Sequence, residues 1–86
     1  MKLSKTSEYA LRILIYMAKK PADLYTAKYL IEQLHVSDKY LRRLMTELSK
    51  AGFIKSTPGR DGGYTFAKPI NEISLYDIID SVENMD

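Results

Sequence analysis

Lys39, Arg42, Arg43, Thr46 and Lys50 recur along the stretch "DKYLRRLMTELSKA" at spacings of three and four residues, which gathers side chains on one side of a helix. Ammonium and guanidinium groups in such a row hold anions, and a guanidinium adds a planar fork of donors that fits a phosphate or the edge of a guanine. The opposite row, Leu41, Leu44, Met45 and Leu48, is apolar, so the cations point away from the core. A second candidate for anion chemistry is "STPGRDGGYTFA", residues 56–67, which holds three of the four glycines. Phosphate loops of the Walker type close on Gly-Lys-Ser/Thr at a helix start, whereas this loop closes on Gly-Gly-Tyr at the start of a β-prone run. It reads as a turn between strands, with a basic tip able to touch phosphate.

Other chemistries fail on residue type. With no cysteine there is no thiolate nucleophile, no disulfide framework and no cysteine-held cluster. His35 is the only histidine and has no metal-ligand partner at useful spacing, so it reads as a turn residue; no metal and no cofactor is expected. Asp77 and Asp80 fit helix capping and surface exposure better than a catalytic pair. No nucleophile, base and orienting group can be assembled, which argues against an enzyme.

Charge supports an anionic partner. Residues 1–60 carry 12 Lys or Arg against 5 Asp or Glu, whereas residues 61–86 carry 1 against 6, so +7 and −5 sum to the net +2. A basic body followed by an acidic stretch favours an anionic partner for the first part, although charge count alone is equally met by an ordinary solvated surface. The longest apolar run, "ALRILIYMA", contains Arg12 and reaches only about half the ~20 residues of a membrane span, so no membrane partner is expected. The N-terminus shows no cleavable signal pattern. With no disulfide chemistry available, the expected compartment is the cytoplasm.

The elements that must position these residues follow from periodicity and caps. One domain is expected over residues 1–86. A first helix is predicted from Ser7 to Lys20, ended by Pro21, with Ala10, Leu11, Leu14, Ile15, Met17 and Ala18 apolar and Ile13 and Tyr16 widening the stripe. A helix apolar nearly all round needs cover on two sides, so part of it should meet a second subunit. A second helix, "AKYLIEQL", starts at Thr26 as N-cap and buries Leu30, Ile31 and Leu34. Ser37 caps the third, and Gly52 supplies its left-handed C-terminal position. The spacing of Leu30, Leu34, Val36, Leu41 and Leu44 is that of a helix-turn-helix. His35 stands where that turn needs positive φ, a region histidine tolerates better than most residues. Then "FIKST" and "YTFA" flank "PGRDGG" as a hairpin, and Ser74 caps a short last helix, "LYDIIDSVE", with an Ile73 to Ile78 staple. The expected fold is mainly α with a small β-hairpin, a winged helix-turn-helix with its third helix at about 37–51 and its wing at about 53–67.

Four blocks in order carry a resemblance: "MKLSKTSEYALRILIYMA", "VSDKYLRRLMTELSKAGFIKS", the run Gly62, Gly63, Tyr64, and "ISLYDIIDSVE". Together they span nearly the whole chain, and the sequence resembles the Rrf2 family of bacterial winged-helix regulators. The resemblance implies a dimeric, sequence-specific regulator of transcription, usually a repressor, whose partner is double-stranded DNA. It implies that the third helix reads the major groove through Ser37, Lys39, Tyr40, Arg42 and Arg43, with Thr46 and Lys50 further along the same face. The wing would reach the minor groove around Gly59, Arg60, Gly62 and Gly63, and Thr26 would add a contact from the second helix. The family usually places arginine immediately before the first wing glycine; here Pro58 stands there and Arg60 follows two residues later. Relatives continue into a long dimerisation helix, and the cluster-binding ones place three cysteines before it. This sequence reads as a short form without either, so sensing through a cluster is not expected, and a homodimer would use helix 1 and that extension.

Two readings of Tyr40 stand side by side: packing under the turn, and contact with a phosphate. The alternative for the whole chain is a winged-helix module for protein association. A protein-binding face would show aromatic or aliphatic anchors, and the row of Lys39, Arg43, Thr46 and Lys50 has none.

Overall fold

The computed structural model describes residues 3–60, 62–83 and 85. Its helices are α1 (Lys5–Ala18), α2 (Ala27–Leu34), α3 (Asp38–Lys50) and α4 (Leu75–Val82); strands β1 (Ile54–Thr57) and β2 (Gly63–Phe66) pair between α3 and α4. This is a winged helix-turn-helix.

Helix α1 starts earlier than its hydroxyl-rich entry implies. Ser4 is the N-cap, its side chain accepting from the Ser7 amide at 3.1 Å, so Thr6 and Ser7 are buried inside the first turns. The helix ends at Ala18, with Lys19 as its cap, ahead of Pro21. Ala10, Ile13, Leu14 and Met17 form its buried stripe, whereas Leu11 is half-buried and Ile15 is 64% exposed. The core therefore takes Ile13 in preference to Ile15.

The helix-turn-helix is built by caps that satisfy orphan amides. Thr26 accepts from the Tyr29 amide and Ser37 from the Tyr40 amide, at 3.1 and 3.2 Å. His35 holds φ 55 and ψ 48, the left-handed corner that lets α2 give way to α3 so abruptly. Val36 beneath that corner is buried with Leu30, Leu34, Leu41 and Leu44, while Ile31 is only half-buried. At the far end of α3 the Phe53 amide reaches the Leu48 carbonyl and the Gly52 amide the Ser49 carbonyl, at 3.1 and 3.0 Å, with Gly52 at φ 86. This paired closure turns the chain into β1.

The hairpin is antiparallel, with Ile54 opposite Phe66 and Thr57 opposite Gly63. Ile54 and Phe53 are buried against α3, which anchors the base of the hairpin and leaves its tip free of the core. Tyr25 joins the sheet from the other side, exchanging amide-to-carbonyl bonds of 2.9 and 2.7 Å with Tyr64. Its hydroxyl lies 3.1 Å from the Met17 and Lys20 carbonyl oxygens at the end of α1, as a donor to them. One residue thus ties the wing to α1. A β-carbon at Gly63 would come within 2.6 Å of the Tyr25 carbonyl oxygen, so this close pairing needs glycine.

Helix α4 is capped by Ser74, which accepts from the Asp77 amide at 3.0 Å. Its buried Ile78 and Val82 close the core against α1 and α3. Each fully buried Leu in this core contributes about 1.5–3 kcal/mol of transfer free energy. No helix among the described residues is long and apolar enough to cross a membrane.

Candidate nucleic-acid interface

Because Leu41, Leu44, Met45 and Leu48 are all buried, the helical period forces the remaining α3 side chains outward. Lys39, Arg42, Arg43, Thr46 and Lys50 are all exposed. Their settings differ. Arg42 Nε donates to Asp38 Oδ1 at 2.8 Å, one turn back, and this bond raises the Arg42 pKa above its ordinary value. The pair is solvent-exposed, so it steers the guanidinium more than it stabilises the helix. Thr46 donates to the Arg42 carbonyl at 2.9 Å, and Lys50 Nζ lies 3.8 Å from Glu47. The Arg43 guanidinium donates to the Met85 carbonyl beyond α4. Arg43 therefore lies on the flank of α3 facing the end of the chain, and Arg42 on the flank facing the wing.

The wing flank is a cleft of about 500 Å³ walled by the first turn of α2, by Arg42 and by the hairpin tip. It brings together Thr26, Arg42, Gly59, Arg60, Gly62 and Gly63 from three separate segments. Gly59 holds φ 104, and a β-carbon at Gly62 would overlap the Thr57 carbonyl oxygen at 1.8 Å, so the tip can fold back only with glycine there. Arg60, on that tip, is exposed. Lys28 also lines the cleft and escaped the sequence reading. Its signal was its place two residues after the Thr26 cap, in the first turn of α2.

Thr46 and Lys50 border a smaller cleft of about 250 Å³ with Ser56 and Tyr64, further along the same flank. Ser37 and Tyr40 stand on the other side of α3. The Tyr40 hydroxyl donates to Thr6 Oγ1 at 3.1 Å, and its ring meets Tyr9 edge-on, with centroids 5.6 Å apart. Packing under the turn is thus present, and the hydroxyl oxygen still has capacity to accept.

Behind the wing, Tyr16, Tyr25 and Tyr29 stack loosely at centroid separations of 6.1 to 6.4 Å. The Tyr16 and Tyr29 hydroxyls share a hydrogen bond of 2.9 Å, which pushes the Tyr16 pKa up to about 12. Burial raises that of Tyr25. The Tyr16 and Tyr25 phenols therefore stay neutral across the ordinary pH range.

Comparison with known proteins gives a consistent result. The family profile described as "Rrf2: Iron-dependent Transcriptional regulator" matches residues 3–86. The chain is 36% identical over 85 residues to the HTH-type transcriptional regulator NsrR of Oceanobacillus iheyensis, covering 98% of this chain and 58% of NsrR. To YwgB of Bacillus subtilis it is 37% identical over 84 residues, covering 96% of this chain and 54% of YwgB. It superimposes on CymR, the global cysteine regulator of B. subtilis, with a TM-score of 0.89 and 33% identity over 96% of this chain and 65% of CymR. The chain thus spans little more than half the length of these curated relatives. The iron in the profile's description finds no fitting donor set among the described residues. The 86 residues contain no cysteine and one histidine, and among the described residues no three His, Cys, Asp or Glu side chains group as metal ligands.

Proposed function

The chain belongs to the Rrf2 family, and we propose that these residues are the DNA-binding part of a transcription regulator that reads the major groove with α3 and the minor groove with the wing. The observation that carries the reading is the outward face of α3. It presents Lys39, Arg42, Arg43, Thr46 and Lys50 with no apolar anchor, beside a cleft that adds Lys28 and Arg60 from two other segments. A helix about 10–12 Å across fits a major groove about 12 Å wide, and guanidinium forks on it can pair with guanine edges. An arginine on a narrow tip suits the minor groove, where width and phosphate potential decide binding. Repression asks only that the protein occupy its site, and that occupancy places it in the cytoplasm with its double-stranded DNA.

A homodimer is part of the proposal. Leu11 and Ile15 of α1 line an apolar groove with Phe66, Ile70 and Ile73, and Leu75 and Tyr76 next to it are 61% and 68% exposed. Such a surface, away from α3, suits a second copy better than water.

The test is equilibrium binding to duplex DNA across a salt series. Affinity should fall steeply, with a log–log slope of about −0.9 for each phosphate contacted. An affinity that hardly changes between low and physiological salt contradicts the proposal and supports the protein-association alternative.

A further inference from the structure

A helix seated in the major groove lies between two phosphate strands, and the wing-side cleft accounts for one of them. Tyr40 and Arg42 leave α3 roughly 160° apart at about 100° per residue, with Lys39 between them, so the Tyr40 flank faces the opposite strand. That flank is also concave. A cleft of about 520 Å³ opens there, lined by Lys5 from α1 and by Tyr9, His35, Ser37 and Tyr40.

Its donors are available. Lys5 is exposed and forms no ion pair among the described residues. The Tyr9 hydroxyl has no hydrogen-bond partner among the described residues, while its ring is held edge-on by Tyr40 and capped by the Arg12 guanidinium 5.4 Å from its centroid. The Ser37 oxygen accepts from the Tyr40 amide, which leaves its proton free to donate outward. None of the described residues lining the cleft is acidic. We infer that this cleft is a second phosphate cradle, in which Lys5, Tyr9 and Ser37 hold the DNA strand across the major groove from the wing. The inference rests on the DNA-binding reading above and deepens it by assigning Lys5 and Tyr9 a role. Packing of Tyr40 on Thr6 and Tyr9 then serves to fix the donors, and phosphate contacts of this kind set register without selecting sequence.

The experiment titrates the protein and its Lys5→Gln and Tyr9→Phe variants against a preferred duplex and a scrambled one, over a salt series. It is repeated with duplexes carrying a single neutral methylphosphonate linkage at successive positions. Both positions lie on the surface or keep their ring, and thermal unfolding confirms that each variant is folded. Lys5→Gln should reduce the salt slope by about 0.9 on both duplexes, and it should become insensitive to one linkage across the groove from the wing. Tyr9→Phe should weaken binding about three- to tenfold on both duplexes with the slope kept. An unchanged slope and an unchanged linkage pattern in Lys5→Gln, with operator binding intact, overturn this inference alone. A loss confined to the preferred duplex overturns it too, since it would make Lys5 a reader of bases. Absence of DNA binding by the unsubstituted protein overturns the DNA-binding reading and this inference with it.

Discussion

Arg43 and Arg60 carry the same guanidinium into different settings, and the difference predicts what each loses. Arg43 sits on a helix whose neighbours are fixed by four buried apolar residues, so its fork arrives in the groove with defined direction once it leaves the Met85 carbonyl. Arg43→Ala should cost about 1–3 kcal/mol on the preferred duplex and much less on unrelated DNA. Arg60 stands on an exposed tip bordered by glycines, where groove width and phosphate potential matter more than base identity. Arg60→Ala should weaken binding to many sequences alike and keep their ranking. Titration of both variants against one specific and one scrambled duplex at fixed salt checks the assignment. Equal losses for Arg43→Ala on the two duplexes would mean that Arg43 holds the backbone and that bases are read elsewhere.

The corner between α2 and α3 shows what an element demands of one residue. His35 is the only non-glycine at positive φ among the described residues, and a β-branched side chain there meets its own backbone. His35→Val should destabilise the fold by about 1–2 kcal/mol, seen as a lowered midpoint of thermal unfolding; an unchanged midpoint would mean the corner can relax. This corner was legible in the sequence, as were the caps at Thr26, Ser37 and Ser74, because each is a bond between residues only three apart. Sequence alone puts the start of α1 two residues late for a local reason: "SKTS" offers several hydroxyls, and the choice of Ser4 depends on Thr6 and Ser7 being buried by the rest of the fold. Pairing of Tyr25 with Tyr64 was not legible at all. It joins residues far apart in the chain through one bridge, which leaves no periodic trace. The same limit hid Lys28 and Lys5, whose neighbours come from other segments.

At the scale of the whole molecule, the cations of α3 and the wing cleft and the exposed Ile15, Leu75 and Tyr76 lie on different elements. Ile15→Asp should therefore leave folding within about 0.5 kcal/mol and abolish self-association, as sedimentation across concentrations would show. A monomer at every concentration without any substitution would remove the dimer from the account. A dimer also constrains the DNA, since two copies related by a twofold axis require two inverted half-sites about 34–36 Å, or a multiple of that, apart. Selection of bound duplexes from a random pool tests most directly whether α3 reads DNA sequence while the wing holds the neighbouring groove. Enrichment of an inverted repeat whose half-sites lie on one face of the duplex is expected, and recovery of sequences no different from the starting pool would rule out sequence reading by α3.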